Sequence, residues 1–135
     1  MEGNFCDKMG RNALHNAAIE NDTELVRRLI YGKLDINAKD KTGFTALHFA
    51  AQNGCLETAT ILIKNGANIN SIDIHGNTPL AKAVFEYKNG PGEIIQLLKE
   101  NGADPMIKNK YGASALSTAR LIANYDVKRF FTEYE

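Results

Sequence analysis

One property limits what this chain of 135 residues can fold into: it repeats itself. Gly10, Gly43, Gly76 and Gly112 follow one another at intervals of 33, 33 and 36 residues. Leu14, Leu47, Leu80 and Leu116 keep the same intervals, as do Ala17, Ala50, Ala83 and Ala119. A period of roughly 20–50 residues means one small supersecondary unit built several times, none able to bury its apolar face alone. Four units are expected over approximately 7–39, 40–72, 73–108 and 109–135, opening on Asp7, Asp40, Asp73 and Asn109 and forming a single domain across 1–135.

Each unit reads alike. Asn12, Thr45, Thr78 or Ser114 stands two residues after the repeated glycine, a residue type that accepts a hydrogen bond from the orphan amides of a helix start. A short helix of small residues follows, clearest in Ala46-Leu47-His48-Phe49-Ala50-Ala51, whose alanines let the next unit approach closely. A break is expected at Asn21, Gly54 and Gly90, residue types that tolerate a left-handed backbone. A second helix then shows apolar spacing, as in Leu25, Val26, Leu29 and Ile30, or Ile94, Ile95, Leu97 and Leu98. Gly32, Gly66 and Gly102 are the expected stops. An extended stretch with a turn, such as 67–77, leads into the next unit.

These residues carry a resemblance. Asn12-Ala13-Leu14-His15, Thr45-Ala46-Leu47-His48, Thr78-Pro79-Leu80-Ala81 and Ser114-Ala115-Leu116-Ser117 resemble the Thr-Pro-Leu-His signature of the ankyrin repeat. Gly66-Ala67-Asn68-Ile69-Asn70 and Gly102-Ala103-Asp104-Pro105-Met106 resemble its Gly-Ala-Asp-x-Asn, and Lys33-Leu34-Asp35-Ile36-Asn37 does so more weakly. The resemblance implies an all-α solenoid of four helix–turn–helix units joined by β-hairpin-like loops. The drifting first and last units are then caps whose outer faces meet water.

Three departures stand out. The third unit carries three extra residues within 85–92, either a longer inner helix or loop tolerated at the surface at little entropic cost, or a lengthened recognition finger. The last unit has Ala123 where an inter-helix glycine is expected and ends in Tyr125, Phe130, Phe131 and Tyr134, bulky rings suited to closing the core. The signature histidine is replaced by Ala81 and Ser117. In the family that histidine ties neighbouring hairpins, so the duty lapses or is filled otherwise.

Composition narrows function. With 16 basic and 16 acidic residues the formal charge is zero, without the basic excess of a nucleic-acid binder. Apolar stretches such as 59–63 fall far short of the ~20 residues of a membrane span. No secretory signal stands in 1–9, and Cys6 and Cys55 make neither a disulfide framework nor a zinc spacing, so a cytoplasmic protein is expected. No phosphate loop, His-Glu-x-x-His or nucleophile elbow occurs, so no catalysis, cofactor or metal is expected.

The resemblance implies a concave recognition face of hairpin tips and inner helices. Carried over by position, it names Lys8, Met9, Arg11, Ile19 and Glu20 in the first unit, then Lys41, Thr42, Phe44, Gln52 and Asn53. Ile74, His75, Asn77, Phe85 and Glu86 follow in the third, and Lys110, Tyr111, Ala113, Leu121 and Ile122 in the fourth. The expected contact set is Arg11, Lys41, Phe44, Ile74, His75, Phe85, Glu86, Tyr87, Lys110 and Tyr111, with Phe44, Ile74, Phe85 and Tyr111 either an anchor stripe or partly buried between units. The expected function is a monomeric module that binds another protein, without nucleic acid or membrane.

Residues 114–131 also resemble the ending of small bacterial ankyrin proteins, some of which neutralise secreted toxins. An immunity protein with a toxin or effector as partner is the narrower expectation, and a generic adaptor or regulatory subunit the alternative. Two other classes are a ligand-binding protein or enzyme using the 85–92 insertion with Glu86, His75 and Cys55, and a self-associating structural protein.

Overall fold

The computed structural model describes residues 6–87, 92–122 and 127–134. The elements are α1 (Ala13–Glu20), α2 (Thr23–Tyr31), α3 (Ala46–Gln52), α4 (Leu56–Lys64), α5 (Pro79–Glu86), α6 (Glu93–Glu100), α7 (Ala115–Leu121) and a terminal 3₁₀ segment, Val127–Tyr134. Among the described residues there is no strand. The chain is thus an all-helical solenoid of paired helices. Each expected unit contains one pair, the last completed by the 3₁₀ segment, which is kinked at Phe131.

Local chemistry starts each inner helix. The side chains of Asn12, Thr45, Thr78 and Ser114 accept the third-residue amide of α1, α3, α5 and α7 at 3.0, 3.3, 3.1 and 3.1 Å. His15, His48 and Ser117 return the bond to the cap's own N–H, a reciprocal arrangement that Ala81 cannot make.

Stacking follows from residue size. The inner helices pack in series, α1 on α3, α3 on α5 and α5 on α7, and the outer helices follow, α2 on α4 and α4 on α6. Ala17, Ala18, Ala50, Ala51, Ala83 and Ala119 are buried at these contacts, with Leu14, Leu47, Leu80 and Leu116 behind them. Small side chains permit the close approach, and the leucines supply the apolar area that holds it.

Polar ties repeat with the same period. Oδ1 of Asp7, Asp40, Asp73 and Asn109 accepts the amides two and four residues ahead at 2.8–3.0 Å, closing each hairpin tip. Successive tips are then bonded in a row: Lys41 N–H to Met9 O, Ile74 N–H to Thr42 O and Lys110 N–H to His75 O, at 2.8–2.9 Å. Asn37 and Asn70 join the loops at the other side, accepting the amides of Asn68 and Asp104 at 2.7 and 2.9 Å.

One expected stop is displaced. Gly32 sits at the end of α2 with an ordinary φ of −74°, and Lys33 takes the left-handed φ of 64°. The turn is set by the Leu34 N–H to Leu29 O bond, which matches Ala67 to Leu62 and Ala103 to Leu98, so Lys33 occupies the place of Gly66 and Gly102. The breaks at Asn21 and Gly54 are left-handed as expected, whereas Gly90, Ala123 and Tyr125 lie outside the described residues.

The terminal rings close the stack. Phe130 and Phe131 are buried, Tyr134 partly exposed. Phe130 meets Tyr87 edge-on at 5.6 Å and lies over Gly92, where α6 begins. Lys99 on α6 ties the segment down through the Phe130 carbonyl and Glu133, the latter at 2.7 Å.

Candidate partner-binding face

The row of tips and the inner helices place the expected contact residues on a common frame, but not in one state. Phe85 is 68% exposed, Tyr111 75% and Ile74 47%. Lys41, Lys110, His75 and Glu86 are exposed as well. The His75 and Tyr111 rings belong to consecutive tips and meet at 5.9 Å, with Nδ1 and the phenol oxygen 3.1 Å apart. Two exposed aromatic groups are thereby pre-positioned side by side.

Other members are already engaged. Phe44 is half-buried, stacked at 5.0 Å on His48 and tilted at 4.9 Å against Phe49. Its ring thus packs within its own unit, against α3, and is less open than an anchor. Arg11 lies 5.1 Å over the Phe49 ring with Nε 3.7 Å from Asp40 Oδ2, so its guanidinium joins the first unit to the second. Neither of those two atoms has a hydrogen bond to a described residue, which makes this a charge contact without the directional component. Tyr87 turns toward Phe130.

Lys82 was not expected on this face. Its ammonium stands 5.4 Å from the Phe44 ring centre and 5.9 Å from that of Phe85, with no ion pair to any described residue. The available signal was a lone cation within Leu80-Ala81-Lys82-Ala83-Val84, an otherwise apolar stretch.

Three clefts bear on the chemistry. One of about 300 Å³ sits beside Ala81, Lys82 and Phe85. Another, of about 290 Å³, lies behind Glu86 and Tyr87 against Gln52, Asn53 and Glu93. A wider one of about 600 Å³ runs between the outer helices α2 and α4, bounded by Tyr31, Ile61 and the Arg27–Glu57 ion pair at 3.0 Å. The trio named for an enzyme is not assembled: Cys55 is buried at the start of α4, His75 is at a tip, and neither lines the Glu86 cleft. Burial pushes the Cys55 thiol above its ordinary pKa, away from the reactive thiolate. Among the described residues no group of three or more His, Cys, Asp and Glu could hold a metal ion, and no helix is long and apolar enough to cross a membrane.

The two buried histidines are structural. His15 Nε2 lies 2.9 Å from the carbonyls of both Ala38 and Phe44, and His48 Nε2 lies 2.9 Å from that of Asn77. Burial lowers the pKa of His48, outweighing the opposing pulls of the Asn77 carbonyl and the Asp73 carboxylate.

Fold and face together define a helical-repeat scaffold of the type that presents surface to other macromolecules. The model of three tandem ankyrin repeats matches residues 1–73, and that of a single ankyrin repeat matches 75–110. The chain belongs to the ankyrin repeat family, whose repeats generally mediate protein–protein interaction. No curated protein matches it.

Proposed function

We propose that this protein is a monomeric, non-catalytic binding module that grips a partner protein with its hairpin tips and inner helices. The carrying observation is the exposure of Phe85 and Tyr111, 68% and 75%, on the face where Lys41, Lys82 and Lys110 have no ion-pair partner among the described residues. Large rings rimmed by charge are the anatomy of an interface core and its edge. Ile74 and His75 extend the patch, and Glu86 borders it.

The test is to isolate the partner by co-purification and mass spectrometry, then titrate it with Phe85→Ala and Tyr111→Ala. Each variant is expected to lose about 2 kcal/mol or more of affinity with an unchanged circular dichroism spectrum. Both variants binding like the parent would remove this face from the function. Phe44→Ala is a poorer probe, since Phe44 also packs on His48 and Phe49.

A secreted toxin as the partner, and hence an immunity role, is supported by the resemblance of residues 114–131 to small bacterial ankyrin proteins. A toxin gene beside this one is the expected finding, and its absence counts against the role. A generic adaptor shares the same face.

A further inference from the structure

The gap left by one missing histidine has a chemistry of its own. In the first two units the imidazoles of His15 and His48 fill the space between inner helix and following hairpin. In the third unit a methyl group, Ala81, stands there, and the cleft of about 300 Å³ opens beside it. Lys82, Phe85, Asn77, Asn109 and Thr118 line it.

These walls are rich in donors. The Lys82 ammonium is held between the Phe44 and Phe85 rings without a carboxylate among the described residues. The Thr118 hydroxyl has no hydrogen bond to a described residue. Asn109 Nδ2 donates one N–H to Asn77 Oδ1 at 3.0 Å, its Oδ1 being held by the Tyr111 and Ala113 amides. The other side-chain N–H of Asn109 and both of Asn77 find no described acceptor. The Ala113 carbonyl, which also borders the cleft, is occupied by the Asn109 N–H at 2.7 Å. A partly apolar recess with a fixed cation and several unspent donors suits an ionised carboxylate, because charge-assisted bonds are the strong ones. Exposed Lys41 and Lys110 on the tips add potential of the same sign.

We propose that this cleft receives an aspartate or glutamate side chain of the partner protein, with Lys82 as its counter-ion. This rests on the reading of the protein as a binding module and supplies the contact that orients the partner.

The test pans a random linear peptide library against the intact chain and measures synthetic copies of the enriched peptides by calorimetry. Enriched peptides are expected to share an acidic residue whose change to its amide weakens binding at least tenfold. On Lys82→Gln that same change should matter less than twofold. Ala81→His, which refills the recess, should weaken binding at least tenfold, and Lys64→Gln, a charge control on α4, less than twofold. Circular dichroism checks that each variant is folded. Peptides that need Phe85 and Tyr111 yet bind Lys82→Gln and Ala81→His at parental strength would overturn the cleft proposal and leave the binding face standing. Peptides indifferent to Phe85→Ala and Tyr111→Ala, or a library with no binder, would overturn both.

Discussion

The Nε2–H of His48 donates to the carbonyl of Asn77 at 2.9 Å, across the boundary between the second and third units. Its Nδ1 accepts the Thr45 N–H at 3.2 Å, which requires the neutral ring with its proton on Nε2. One side chain thus caps its own helix and ties down the next hairpin.

Acid should loosen this tie. The folded protein holds the His48 pKa below the ordinary value of 6.5 by burial, so below about pH 6.5 the unfolded chain takes up a proton that the folded one resists. Stability is then flat above that pH and falls as pH drops through it, by at most ~1.4 kcal/mol per pH unit for one proton. Urea unfolding between pH 7.5 and 5 measures the slope, and His48→Gln should flatten it. An unchanged slope in the variant would assign the effect elsewhere.

Restoring the histidine of the third unit should stabilise the scaffold. The Phe44 carbonyl receives both the Asp40 N–H and His15, and the Asn77 carbonyl both the Asp73 N–H and His48. Among the described residues the Ala113 carbonyl receives only the Asn109 N–H. Ala81→His supplies the second donor and the missing half of the cap, worth about 1 kcal/mol by chemical denaturation. A loss of stability would mean that the recess cannot hold an imidazole.

At the end of α2, two substitutions separate neighbouring residues. Lys33→Gly should stabilise by about 1 kcal/mol, because the left-handed backbone is strained for a side chain and free for glycine. Gly32→Ala, with an ordinary φ and only normal contacts at 3.5 Å for an added methyl group, should be neutral or gain up to about 1 kcal/mol. Were Gly32→Ala the damaging change, the turn would be one residue earlier.

Gly92→Ala should break the terminal closure. A Cβ there would fall 2.0 Å from the Phe130 ring, and the backbone is left-handed at φ +66°. Displacement of the ring and the backbone strain together should cost about 2 kcal/mol or more. In a Phe130→Ala background the collision is gone, so the same change should cost measurably less, a coupling that a double-mutant cycle reads directly.

Much of this architecture was legible because its causes are local. Caps at Asn12, Thr45, Thr78 and Ser114 act within three residues of themselves, and the period itself marked the alanines and leucines that stack. Gly32 misled because a glycine at a helix end resembles a stop, while the decision lay one residue on, in the bond from Leu34 to Leu29. Arg11 reads as a contact residue in the sequence because its partners, Asp40 and Phe49, belong to the next unit.

From the amino-acid order alone came the count of units, the helices and their buried faces, since each depends on contacts within one repeat or on its strict recurrence. Which residues remain open to a partner was decided only by the stacked structure. Arg11 is taken up by Asp40 and Phe49 of the second unit, Lys82 reaches back over the Phe44 ring, and the recess at Ala81 has its far wall from the fourth unit. Exposure belongs to neighbouring units jointly, and no single repeat encodes it.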